Sequence, residues 1–249
     1  MEQSSANAFA YENGEESARV IVPLVLEYVS VKSIVDIGCG VGMWLSVFRD
    51  NGAIEVQGVD NDWVDRSRLV IPEASFSPRN LEEPFETGKS FDLAVSLETA
   101  EHLEISSAEG FIESIVKLAP VVLFSAAIPH QGGVHHVNEQ WPAYWANIFK
   151  KHGYIPVDCI RRKIWNDDRV NFWFKQNTII YVKESELSKY PKLQAEIESG
   201  NGFALALVHP YKYEYFAERW ESIVPILGRI HPRLLSAGKA FLKKFKRNK

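Results

Sequence analysis

The chain has 249 residues, 46% of them hydrophobic and 24% charged, with a net charge of −4. That composition can bury a sizeable core, excludes a disordered chain, and gives no general attraction to nucleic acid. The only cysteines are Cys39 and Cys159, so no disulfide framework is implied; the polar, acidic start MEQSSANAFAYENGEE has no signal-peptide core, and no apolar run is long enough to cross a bilayer. A soluble, cytoplasmic protein is the expectation.

In chain order, the first half alternates apolar runs with helical patterns, the mark of a parallel α/β sheet. EESARVIVPLVLEYVS reads as a helix despite its proline, and SIVDIG (33–38) as a buried strand. GMWLSVFRDNG is a helix closed by Gly52, AIEVQGVD (53–60) a second strand, and EASFSPRNL holds a short third. FDLAVSLE (91–98) is the fourth strand, its apolar run ending near Leu97. SSAEGFIESIVKLA follows as a helix, with Ser106 and Glu109 at capping-box spacing. PVVLFSAAIP (120–129) is the fifth strand. The loop HQGGVHHVNEQWP then leads to the helix AYWANIFKKHG, and PVDCIRRKIW and WFKQNTIIYVKE read as two late strands. From Ser185 the pattern turns helical and aromatic. These elements divide the chain into a domain over 1–183 and a helical extension over 184–249. The last stretch, GRIHPRLLSAGKAFLKKFKRNK, is basic with no acid; it is either a solvated helix with a frayed tail or a weak anchor for a membrane surface or acidic partner.

The densest signal is VDIGCGVGMW, where Asp36 runs into Gly38, Gly40 and Gly42 and a helix starts at once. Glycines let the backbone turn sharply and let a ligand approach closely. Asp60 closes the second strand, placed to accept from ribose hydroxyls. A dinucleotide fold shares both features, but its fingerprint needs glycine where this chain has Met43. The acid before the loop also suits a cationic ligand better than a pyrophosphate.

Asp36, the three glycines and Asp60 resemble the cofactor motifs of class I S-adenosylmethionine-dependent methyltransferases, over residues 15 to 182. The resemblance implies a Rossmann-like α/β fold: a seven-stranded, mostly parallel sheet with helices on both faces, plus the C-terminal helical extension. It implies that Asp36, Gly38, Gly40, Gly42 and Leu97 line the cofactor and that Asp60 holds its ribose. Asn61 and Trp63 would lie near the adenine, and Asn80 and Leu81 occupy the place where the family often contacts it. The block from NLEEPFETGKSFDLAVSLETAEHLE to SAAIPHQGGVHHVNEQWPAYW looks like a bacterial group associated with glycan and small-molecule tailoring.

SLETAEHLE gathers Glu98, Glu101, His102 and Glu104. If a helical turn begins at Glu98, then 98, 101 and 102 share one face, a half-shell for Mg²⁺ or Mn²⁺. A further ligand would come from the loop carrying His130, His135 and His136. E-x-x-E-H with a later histidine before Glu and Trp resembles the small-RNA terminal 2′-O-methyltransferases and the ubiquinone-pathway O-methyltransferases. That resemblance implies metal ligation by Glu98, Glu101, His102 and His136, with His135 or His136 left open in the alignment. The same acids also suit a metal-free helix start, and His102, His135 or His136 would serve as a general base without an ion. Gly132 and Gly133 are either a lid hinge or a turn, and Trp141, Tyr144 and Trp145 are either pocket wall or core. The Asp/Asn-Pro-Pro-Tyr/Phe signature of amino-methylating DNA enzymes is absent: the fifth strand ends in Ala127, Ile128, Pro129.

The expected activity is transfer of a methyl group from S-adenosylmethionine to a hydroxyl of a sugar, glycan-linked or polyhydroxylated small molecule, with a divalent ion assisting. The alternatives are a metal-free O- or N-methyltransferase using a loop histidine, a non-catalytic cofactor-binding module, an RNA-terminus methyltransferase and an NAD-dependent oxidoreductase.

Overall fold

The computed structural model describes residues 2–200 and 204–230. Five short apolar runs pair as parallel strands: β1 (Ser33–Ile37), β2 (Glu55–Asp60), β3 (Phe76–Pro78), β4 (Leu93–Leu97) and β5 (Val121–Ser125). β6 (Tyr154–Val157) and β7 (Ile179–Lys183) complete a seven-stranded sheet in the order β3-β2-β1-β4-β5-β7-β6, with β7 antiparallel to both neighbours. Every residue of β5 is buried, as expected for a strand covered on both faces. The strand order reverses between β1 and β4, and in such sheets ligands bind beyond the carboxyl ends at that crevice.

The helices divide between the two faces. α1 (Glu2–Tyr28) and α2 (Met43–Asp50) pack together in one apolar cluster with Ile34, Leu93 and Val121. α3 (Ala108–Val116) and α4 (Pro142–Lys151) contribute Phe111, Trp145 and Phe149 to a second cluster with Val35, Val122 and Tyr181. α1 runs through Pro23, so the helix survives the proline as the sequence pattern suggests.

Three local expectations need correction. PVDCIRRKIW is a strand only to Val157; Arg161–Ile164 form a short helix, α5. WFKQNTIIYVKE likewise begins as α6 (Phe172–Asn177) before turning into β7. The cause in both is Arg161, wholly buried and paired to Asp158 by two bonds of 2.9 and 2.5 Å. Its remaining donors cap the carbonyls of Gln176, Leu205 and Ala204, which an extended backbone at 156–165 would not collect. The Ser106–Glu109 capping box does not form either. The chain enters α3 through a 3-10 turn at Ile105–Ser107, no side chain caps it, and Glu109 pairs instead with Lys151.

The chain divides into two compact units, Met1–Leu207 and Val208–Lys249. The first therefore extends past residue 183: α7 (Pro191–Glu198) buries Leu193, and Glu196 accepts from Tyr28 at 2.7 Å. In the second unit α8 spans Pro210–Ile230, with Lys212 lying over the rings of Tyr215 and Phe216. Of the basic stretch 228–249, residues 231–249 lie outside the described residues. Among the described residues, no helix is long and apolar enough to cross a membrane.

Removing one partner of a buried ion pair leaves the other charge uncompensated. Arg161→Ala should therefore lower unfolding free energy by about 3–5 kcal/mol, read from the denaturation midpoint. The paired replacement Arg161→Met with Asp158→Leu should recover only part of that loss, because the three carbonyls that Arg161 caps lose their donor.

Candidate active site

The glycine loop leaves β1 at the crevice. Gly38 and Gly42 have φ of 83° and 84°, a left-handed conformation that side chains disfavour. A Cβ at Gly38 would also fall 2.2 Å from Thr99 Oγ1, so only glycine lets this loop meet the end of β4. Asp60 fixes the loop from the next strand: Gly40 N–H donates to its Oδ2 at 2.7 Å and Asn61 N–H to its Oδ1 at 2.6 Å. Asp36 is buried below the loop, and burial first, then the Asp60 charge, pushes its carboxyl up to about 8. Asp60 is itself raised by burial, against the pull of its two backbone donors. Of the other expected cofactor residues, Leu97 and Asn61 are half-buried and Leu81 is buried. Trp63 is 76% exposed, and Asn80 is exposed with its amide on Glu83.

The chain then turns at Glu98. This residue has φ of 51°, and its N–H donates to Ser125 O at 3.0 Å, so the expected helical turn from Glu98 is absent. A 3-10 turn at Ala100–His102 follows instead. It carries Glu101 fully into the interior, where neither carboxyl oxygen has a hydrogen-bond partner. Desolvation, then the neighbouring Glu98 charge, raises the Glu101 pKa well above its ordinary value; the nearby amides of Glu101 and Ala127 offset this only in part.

The loop after β5 closes over Glu101. Val137 N–H and Asn138 N–H both donate to its backbone carbonyl, at 2.9 and 3.0 Å. That latch brings the His136 ring to 4.8 Å from the His102 ring. Glu101, His102 and His136 each present a ligand atom, and these all lie within 4.8 Å of one another. Desolvation, then the His136 charge, holds His102 below the ordinary imidazole pKa.

Glu139, which the sequence analysis left without a role, organises this loop. It accepts from His130 N–H at 2.6 Å and Gly132 N–H at 2.8 Å, and lies 3.0 Å from His136 Nδ1. Burial opposes its ionisation, but His136 and the two backbone donors outweigh it and leave the Glu139 pKa lowered. A carboxylate on Nδ1 orients the ring and leaves Nε2 for another partner. Gly133 makes room for that ring: a Cβ there would sit 2.2 Å from His136 Nε2. His135 is exposed with φ of 59°, outside the cluster, so the geometry selects His136. Trp145 is core, packed on Phe124; Tyr144 lies against its ring, and Trp141 is 42% exposed.

Glu98 is not in the three-residue cluster. Its Oε2 accepts from Gln131 Nε2 at 2.7 Å and its Oε1 from Asn177 Nδ2 at 3.0 Å. Reading 173–184 as a strand hid Asn177; the adjacent amides Gln176 and Asn177 before a buried apolar run were the available signal.

A family model described as a methyltransferase domain matches residues 10–162. The chain belongs to the class I S-adenosylmethionine-dependent methyltransferases. The methyltransferase is similar to several solved structures. A chain of the complex between the Haloferax volcanii Trm112 methyltransferase activator and a methyltransferase is 17% identical, covering 72% of this chain and 96% of that chain, with a TM-score of 0.54. Magnesium protoporphyrin IX methyltransferase from Synechocystis PCC 6803 with bound S-adenosylmethionine is 17% identical, over 69% of this chain and 80% of that chain, with a TM-score of 0.50. DesVI of Streptomyces venezuelae is 15% identical over 53% of this chain, which spans 61% of DesVI, with a TM-score of 0.44. Among curated proteins, none matches the methyltransferase.

S-adenosylmethionine carries a sulfonium and an ammonium, and a cation beside Asp36 favours its ionised form. In the free protein Asp36 keeps a proton that the unfolded chain has lost, so its stabilising contribution is full below about pH 4 and is lost as pH rises through about 8. Cofactor binding at pH 7 should therefore release up to about one proton, falling toward zero above pH 9. Calorimetry in buffers of different ionisation enthalpy measures this, and Asp36→Asn should abolish the pH 7 release.

Proposed function

We propose that the methyltransferase transfers the methyl group of S-adenosylmethionine to a hydroxyl of a polyhydroxylated acceptor, a sugar or glycan-linked molecule, with Mg²⁺ or Mn²⁺ held by Glu101, His102 and His136. The observation that carries the cation is the Glu101 carboxyl, fully buried with both oxygens unpartnered beside two imidazoles. A buried carboxylate without a donor is costly unless a charge meets it, and one carboxylate with two imidazoles is a mixed donor set that a transition-metal ion such as Mn²⁺ accepts more readily than oxygen-preferring Mg²⁺. When bound, a divalent ion lowers the pKa of a nearby hydroxyl and fixes its position.

The protein's own groups divide the remaining work. Asp36 faces the cationic part of the cofactor, Asp60 orders the Gly40 amide and the ribose, and the glycine loop admits the methionyl chain close to the backbone. Gly38 against Thr99 places that loop directly beside the turn bearing Glu101 and His102. The methyl donor is already activated by its sulfonium, so the site mainly has to align an in-line displacement and accept one proton. Adjacent hydroxyls, as in a cis-diol or catechol, suit a site that offers an ion with free positions.

A metal-free reading rests on the His136–Glu139 pair, because a carboxylate-oriented imidazole is also the form of a general base. The two readings part at Glu101. On the cation reading, Glu101→Gln should weaken Mn²⁺ binding to the cofactor-saturated protein on the order of 100-fold or more, measured by calorimetry. It should also remove chelator-sensitive methyl transfer to a panel of sugars and catechols supplied with labelled cofactor. Transfer that persists in Glu101→Gln and in chelator, but fails in His136→Ala, would establish the metal-free reaction.

A further inference from the structure

We infer that Glu98 is not a ligand of the cation but a carboxylate held aside by an amide clamp, Gln131 with Asn177, which limits the protein's ligands to three and keeps the ion's other positions for the acceptor. The inference rests on the cation reading above. Its evidence lies in the hydrogen bonds around Glu98 and in the burial of the groups that make them.

Each Glu98 oxygen accepts one buried amide hydrogen bond that fixes its direction, Oε2 from Gln131 Nε2 at 2.7 Å and Oε1 from Asn177 Nδ2 at 3.0 Å. The clamp residues are 7% and 3% exposed, so neither amide has ready access to solvent as a substitute partner. They also hold each other, since Gln131 Oε1 accepts from Asn177 Nδ2 at 2.9 Å and from Gln176 Nε2 at 3.2 Å. The clamp is tied to the core, because Arg161 holds the Gln176 carbonyl at 3.0 Å. Glu98 itself is fixed by its left-handed backbone and its bond to Ser125. Turning its carboxyl toward the three-ligand cluster would break both of its hydrogen bonds to buried amides.

The count of ligands has a chemical consequence. An ion of six-fold preference held by one atom each from Glu101, His102 and His136 would keep other positions free. Two acceptor oxygens and a solvent molecule would fit those positions. A fourth protein ligand at Glu98 would reduce them and favour a single-point acceptor. On this account Gln131 and Asn177 act on acceptor choice through Glu98, as positioning residues that touch neither the ion nor the reacting atoms.

The test is Mn²⁺ titration of the full chain saturated with S-adenosylmethionine, read by calorimetry and by water-proton relaxivity, which counts exchangeable waters on the ion. Thermal melts first establish that each variant is folded. For Glu98→Gln the expected result is unchanged relaxivity, with affinity lowered by no more than the roughly 10–100-fold of an outer-sphere change. Asn177→Ala frees Glu98 and should lower relaxivity by about one water's contribution while tightening Mn²⁺ binding; the double variant with Glu98→Gln should lose both effects. A rise in relaxivity in Glu98→Gln alone would mean that a protein ligand had been lost, and would overturn the inference even if Asn177→Ala fails to fold. Unchanged relaxivity in a folded Asn177→Ala would overturn it as well. If the wild type binds no Mn²⁺, the cation reading itself fails, a result distinct from either of the others.

Discussion

A carboxyl group buried without a hydrogen-bond donor is among the more expensive things a fold can contain, and the architecture around Glu101 is arranged to hold one. Its backbone carbonyl is latched by two N–H groups of the loop after β5, and its side chain is fully buried. Burial and the neighbouring Glu98 charge raise its pKa well above the ordinary carboxyl value. The neighbouring imidazoles, the Glu139 brace and the room left by Gly133 all serve the same centre.

Strain gathers at the same place. The described non-glycine residues with positive φ are Glu98, His130 and His135, all in the two loops that meet over Glu101. A left-handed residue other than glycine costs roughly 1 kcal/mol, so three of them within one site mean that the surrounding contacts over-determine the backbone. Those contacts can be named: Ser125 holds the Glu98 amide, Glu139 holds the His130 amide, and the Glu101 carbonyl holds the chain just past His136. The loops are therefore shaped by hydrogen bonds to one another more than by local preference.

The cofactor half and the cluster half are joined by a steric contact. Gly38 lies so close to Thr99 that the glycine loop and the Glu101 turn form one surface at the strand-order reversal between β1 and β4. The contact puts the cofactor loop and the Glu101 turn side by side. The sheet brings the two chain segments to the same edge, and the absence of a side chain at Gly38 lets them touch.

The sequence by itself determined the β1 loop and the acid after β2, because glycine spacing and apolar runs are local and carry their own geometry. It also marked Glu101, His102 and the histidine loop as a cluster, and placed most of the sheet. It did not determine where helices interrupt the last two strands, since a buried Arg161 collecting three carbonyls draws partners from residues 158 to 205. Nor did it choose between His135 and His136, which the Glu139 brace and the latch on Glu101 decided. Glu98 shows the same limit most plainly. Its spacing to Glu101 and His102 is that of a shared helix face, but the face exists only if the backbone is helical. Amides 33 and 79 residues away in the chain hold it in another conformation. Such long-range hydrogen bonds leave no periodic trace in the sequence, so only the tertiary structure could settle them.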